Sequence, residues 1–194
     1  MAVRYSGWAK EKVKWIFWGL ILNHFHFNLN LGSVGIDLLP DFAGFFLFYA
    51  AIDGLSLNLP GYGRMKALAI FFTLVEGAEF AMGLLGVQLE KSAWMLFGSV
   101  LFSLLFAYFD YQLFTVLMDT AHVHRYMLRL ESLRTIRIAR LVIDLLAAVV
   151  SFLANRAPLA VSVFSVTGIA VAIWSCVAVY QLWKELDRNE AVMI

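Results

Sequence analysis

Apolar stretches alternate with short polar or turn-forming segments along the whole chain, at about 15–31, 42–57, 67–87, 93–118, 141–153 and 159–183. Most approach the roughly 20 residues that a helix needs to cross a bilayer. The stretch 141–153 is short, and a re-entrant segment there stays open. The pattern predicts an all-α, polytopic membrane bundle of six transmembrane helices. Residues 1–14 form a basic amphipathic lead, 15–183 a single transmembrane domain, and 184–194 a tail. Turn residues mark the joints: Gly32, Ser33 and Gly35 after the first stretch, then Asn58 to Gly63 after the second. Asp41 is placed to cap the second helix, because its carboxylate can accept orphan helix N–H groups.

One segment breaks the helical period. His24-Phe25-His26-Phe27-Asn28-Leu29-Asn30-Leu31 alternates strictly between polar and apolar residues. A two-residue repeat is a strand signature. Either the first helix is polar on two edges here, or it unwinds near its end inside a protein- or water-lined cavity.

Composition agrees with the membrane reading. The chain of 194 residues is 62% hydrophobic, more apolar surface than a soluble domain of this size can bury. Charge then orients it. Thirteen of the fifteen Lys and Arg fall on one side of the six-span arrangement. They are four before residue 15, Arg64 and Lys66, five between 119 and 140, and Lys184 and Arg188. Only Lys91 and Arg156 lie opposite. By the positive-inside rule both termini are expected in the cytoplasm. The net charge of +1 gives no reason to expect a nucleic-acid partner. The basic N-terminus is expected to be a retained span, since no small-residue cleavage site follows it.

Ionisable side chains at membrane depth are costly and usually face a bundle interior or wet cavity. The candidates are His24 and His26, Asp53, Glu76 and Glu79, Asp110 and Asp144. Glu76 and Glu79 are i,i+3 neighbours on a stripe with Thr73, Gly83 and Gly86. Two carboxylates one turn apart cannot both ionise cheaply in low dielectric, so one is expected protonated, cation-bound or paired. Asn23, His26 and Asn30 align, as do Ser99, Ser103 and Asp110. An ion, proton or substrate path through these groups competes with plain interhelical hydrogen bonding. For Asp53, Asp110 and Asp144 a cytoplasmic arginine is an equal alternative. His24 and His26 beside carboxylates could ligate a transition metal, but residues at i,i+2 do not share one helix face; the metal and any cofactor stay unknown. His122 and His124 are expected to be solvated loop residues.

Arg125, Arg129, Arg134, Arg137 and Arg140 interleave with Met127, Leu128, Leu130, Leu133, Ile136 and Ile138. This could be an amphipathic helix on anionic lipid, a docking surface for a cytoplasmic subunit, or simply a positive-inside anchor. No H-E-x-x-H, G-x-S-x-G or Walker A motif is present. Cys176 is the one cysteine, so no disulfide can form within the chain.

The run Gly35-Ile36-Asp37-Leu38-Leu39-Pro40-Asp41-Phe42-Ala43-Gly44 resembles an L-P-D-F-x-G element that opens the second span of small multipass proteins from Gram-positive bacteria. The resemblance implies a bacterial plasma membrane and no particular activity. In architecture the chain also resembles the substrate-binding subunits of energy-coupling factor transporters, where the outer loop after the first span covers a ligand. The expected function is a small transport or substrate-binding membrane protein. Its solute would enter near His24, His26, Asn28, Asn30, Asp37 and Asp41. Glu76 and Glu79 would bind it or carry a proton. The alternatives are an intramembrane enzyme acting on lipid and a non-catalytic subunit that docks a cytoplasmic partner.

Overall fold

A computed structural model describes residues 2–25, 28–31, 34–37, 40–56, 62–85, 93–153 and 158–192. They form α1 (Ala2–His24), β1 (Asn28–Leu31), β2 (Val34–Asp37), α2 (Asp41–Ser56), α3 (Gly63–Leu84), α4 (Ala93–Val123), α5 (Met127–Leu153) and α6 (Pro158–Val192). The expected helical architecture is present in six helices. Among the described residues, three segments are long and apolar enough to cross a membrane: Gly63–Leu84, Gly98–Val123 and Ser162–Arg188. Their outward faces carry Ile70, Phe71 and Leu74 on α3, and Val163, Val166, Ile169 and Ile173 on α6. Large exposed apolar faces of this kind belong against lipid, and the chain is a membrane protein. α2 has 16 residues, about 24 Å of helix, short of the roughly 30 Å hydrocarbon layer.

Helix boundaries differ from the apolar pattern at several places, with α1 starting at Ala2 and α6 running on to Val192, and two of them change the reading. The first helix ends at His24, and the alternating segment becomes the strand β1. β1 pairs antiparallel with β2 in the register Asn28↔Asp37, Asn30↔Gly35. The two-residue period therefore marked real extended backbone, and pairing supplies the hydrogen bonds that an unwound helix end would lose. The second is the basic segment 119–140, read as a connecting segment in which an amphipathic helix was left open. Asp119–Val123 belongs to α4, and Met127–Arg140 is the first half of α5.

The joint between α4 and α5 is a Schellman motif. Tyr126 N–H donates to Ala121 O and Arg125 N–H to His122 O, while Arg125 takes φ 62°. That left-handed position usually belongs to glycine, so the motif holds an arginine at a cost of about 1–2 kcal/mol. His124 is half-buried in the turn, and desolvation pushes its imidazole below the usual histidine range. At the other starts, α6 opens on Pro158, whose fixed φ suits a first helical residue. The Pro40 carbonyl accepts the Ala43 N–H as α2 begins.

The helices gather into two compact units, residues 1–90 with 179–194, and residues 91–178. In the first, α1 buries Ala9, Val13, Ile16 and Leu20, and α2 buries Phe45, Phe48, Ile52 and Leu55. Steps of three and four residues put each set on one helix face. Phe45 stacks on Phe72 of α3 at 4.9 Å between ring centroids. α1 and α2 approach backbone to backbone at Gly19 and Gly44. A Cβ on Gly44 would lie 2.9 Å from Gly19 O, and one on Gly19 would lie 3.0 Å from Gly44 O. Small residues allow this closeness between membrane helices. The end of α6 closes on α1: Phe17 lies 5.7 Å from Tyr180 and 6.0 Å from Trp183, and Lys10 pairs with Asp187 at 2.7 Å.

In the second unit, α4 buries Phe109, Leu113, Val116 and Leu117, and α5 buries Leu133 and Ile136. Hydroxyls bend back to their own helix: Ser103 to Ser99 O, Thr115 to Tyr111 O, Thr120 to Val116 O and Ser175 to Val171 O. Each thereby enters apolar surroundings without needing a neighbour.

Candidate functional site

α4 and α5 run antiparallel, and their polar residues meet in register. Asp110 of α4 is ion-paired with Arg140 of α5, and both are almost fully buried, at 3% and 5% exposure. One turn further on, Arg137 donates to Thr115 Oγ1 at 3.1 Å and lies 4.5 Å over the Tyr111 ring. Asp144 follows Arg140 by one turn of α5 and acts electrostatically on both Arg140 and Asp110. Its Oδ2 is buried and accepts no hydrogen bond. Cys176 of α6 lies within electrostatic reach of the same guanidinium. The result is a buried centre of two carboxylates and one guanidinium inside a helix pair.

The charge balance follows from that list. Arg140 compensates one carboxylate. In low dielectric a second, uncompensated carboxylate is costly, and it takes a proton or a small cation. The arrangement can hold or pass such a charge. Beside it, an open groove of about 340 Å³ runs along the helix pair, lined by Leu104, Tyr108, Tyr111, Gln112, Leu141 and Leu145 among others.

Other expected residues fall elsewhere. Glu76 is half-buried and Glu79 exposed on α3. An apolar groove of about 510 Å³ lies near them in the first unit, lined by Leu22, Phe42, Ala43, Phe46, Leu47 and Thr73; neither glutamate lines it. Asn23 sets its Oδ1 against Gly44, where any Cβ would collide with it. His24 and Asp41 are half-buried at the adjoining helix ends, with Nδ1 and Oδ1 enclosed. His26 and the side chains of Asn30 and Asp37 lie outside the described residues. Asp53 pairs with Lys66. Among the described residues no cluster of three or more His, Cys, Asp and Glu side chains gathers to hold a metal.

The basic segment divides in two. Arg125 and Arg134 are exposed, whereas Arg137 and Arg140 turn inward. A cytoplasmic arginine was an open alternative as partner of Asp110, and Arg140 is the one that fills it, although sequence reasoning did not single it out. A signal existed. Arg140 continues the apolar stripe Leu133–Ile136 at a step of four, a position where an arginine is buried.

The lysines of the first unit gather at one end. Lys12 donates to Ala50 O at 3.2 Å and lies 3.9 Å over Trp15, and its stem covers Gly54. Lys66 joins Asp53 beside it, and Lys10 joins Asp187. Comparison with protein families, curated proteins and solved structures returned no match to this chain.

Proposed function

We propose that this chain is a six-pass protein of a bacterial cytoplasmic membrane, with both termini inside, that binds and passes a small solute or ion. The observation that carries the reading is the buried Asp110–Arg140–Asp144 centre. Ionisable groups at such depth are retained mainly where a substrate, ion or proton uses them. Asp144 is its working group, because its carboxylate is the one left uncompensated. Glu76 and Glu79, on another candidate span, are the second place where a coupling proton could ride.

Native mass spectrometry on protein extracted gently from its own membrane tests this. The wild type should retain a small solute or a cation adduct. Asp144→Asn leaves the Asp110–Arg140 pair in place and should lower that occupancy about tenfold, the loss of roughly 1.4 kcal/mol of binding. Retention at the wild-type level would remove Asp144 from the site, and Glu76→Gln and Glu79→Gln would then be the variants to compare. A wild type that emerges bare from every gentle extraction would sink the solute-binding reading.

Orientation is tested separately. In a Cys176→Ser background, cysteines at Arg64, Arg134 and Arg188 should react with an impermeant thiol reagent only from the cytoplasmic side. Cysteines at Asp37, Lys91 and Arg156 should react only from outside. Labelling of Arg64→Cys and Lys91→Cys from one face would rule out the six-pass arrangement.

A further inference from the structure

We infer that the groove between α4 and α5 is a binding site for one anionic membrane lipid, its headgroup phosphate on Arg137 and an acyl chain along Leu141, Tyr108, Leu145 and Leu104. The groove is graded in polarity along its length. Leu104 and Leu145 line one end, and Tyr111, Gln112 and Leu141 the other. The next residues along the same helix pair are Thr115 and Arg137. From Leu104 to Thr115 is eleven residues of helix, about 16 Å. An amphiphile laid in this direction puts apolar atoms on leucines and its charge on a guanidinium.

Arg137 is prepared for a ligand. Its NH1 is held by Thr115 and its plane by the Tyr111 ring, which also lines the groove. Its Nε is enclosed and donates no hydrogen bond. A guanidinium fixed in this way and only half-buried keeps part of its surface open to a phosphate oxygen. Of the neighbouring acids, Asp110 is paired with Arg140, one turn deeper, and Asp119 acts electrostatically on Arg137 and on His122. The occupant is a lipid rather than a free anion because the rest of the groove is apolar and lies in a helix that can cross a membrane. The inference is independent of any solute at Asp144.

The test uses the delipidated full chain in a mild detergent, titrated with phosphatidylglycerol or phosphatidylcholine of the same acyl chains and read by native mass spectrometry. The wild type should take one phosphatidylglycerol at least about fivefold more tightly than phosphatidylcholine, a difference of about 1 kcal/mol. Arg137→Gln should erase the preference, and Arg137→Lys should keep part of it. Leu145→Trp, which fills the groove and leaves Arg137 in place, should weaken both lipids. Millimolar inorganic phosphate should not compete. Four results would each overturn the proposal: no preference in the wild type, an undiminished preference in Arg137→Gln, undiminished binding in Leu145→Trp, or displacement by phosphate alone. A folded circular-dichroism spectrum for each variant keeps loss of binding distinct from loss of structure.

Discussion

Arg140→Gln should destabilise the chain by about 3–5 kcal/mol, the range expected when one partner of a buried ion pair is removed. The cost arises because Asp110 and Asp144 would then face each other across an apolar helix interface with no cation. Reversible unfolding in mixed micelles, followed by circular dichroism, gives the number. Removing the charges together should be far milder. Asp110→Asn with Arg140→Gln discards the desolvation penalty along with the attraction, and should recover most of the lost stability. A single Arg140→Gln loss under about 1 kcal/mol would mean that water reaches the pair, since exposed ion pairs contribute no more than that.

Gly44→Ala is the second large effect, with an expected loss of about 1–3 kcal/mol from overpacking. The new methyl would meet the Asn23 amide and the carbonyl of Gly19, and backbone cannot step aside. Gly19→Ala should behave alike, because the Phe48 ring it would strike is itself fully packed. Gly54→Ala meets only the flexible stem of Lys12. Gly83→Ala and Gly98→Ala meet nothing within 4 Å. These three should stay within about 0.5 kcal/mol of wild type, as changes away from packed features usually do. The same unfolding assay ranks all five. If Gly44→Ala matched Gly98→Ala, the close crossing of α1 and α2 would be disproved.

Much of the helical architecture was legible because a membrane chain shows its apolar stretches directly. The stretches at 67–87, 93–118 and 159–183 overlap the three membrane-capable helices. The hairpin was half legible: the alternation announced the extended backbone found over Asn28–Leu31, but nothing local named its partner strand. The Gly19–Gly44 crossing was hidden because neither glycine has a small residue four positions away in its helix. The end of α4 was hidden for a related reason. Its left-handed position holds Arg125, where sequence reading looks for Gly or Asn.

The candidate site was legible only in part. Asp110 and Asp144 stood out as acids inside apolar stretches. A cytoplasmic arginine was an open alternative as their partner, but nothing local said which of five within sixteen residues it is. Pairing across thirty residues of sequence is a tertiary fact, fixed by the turn at 124–126 that sets α5 against α4 in register. Ser103 shows the reverse error. It shares a helical face with Asp110, yet its hydroxyl closes on its own backbone and contributes nothing to a polar interior.

The division of α6 between the two units sets an order of assembly. Residues 91–178 are all synthesised before residue 179, so the second unit can close on itself while translation continues. The first unit cannot. Lys10 and Phe17 are made more than 160 residues before their partners Tyr180, Trp183 and Asp187. The aromatic face of α1 therefore waits through that stretch of synthesis without its cover, and such exposure of apolar surface is where misassembly and chaperone capture begin. Closure of α1 on α6 is a late, long-range step, and a contact of that sequence separation is also expected to be slow.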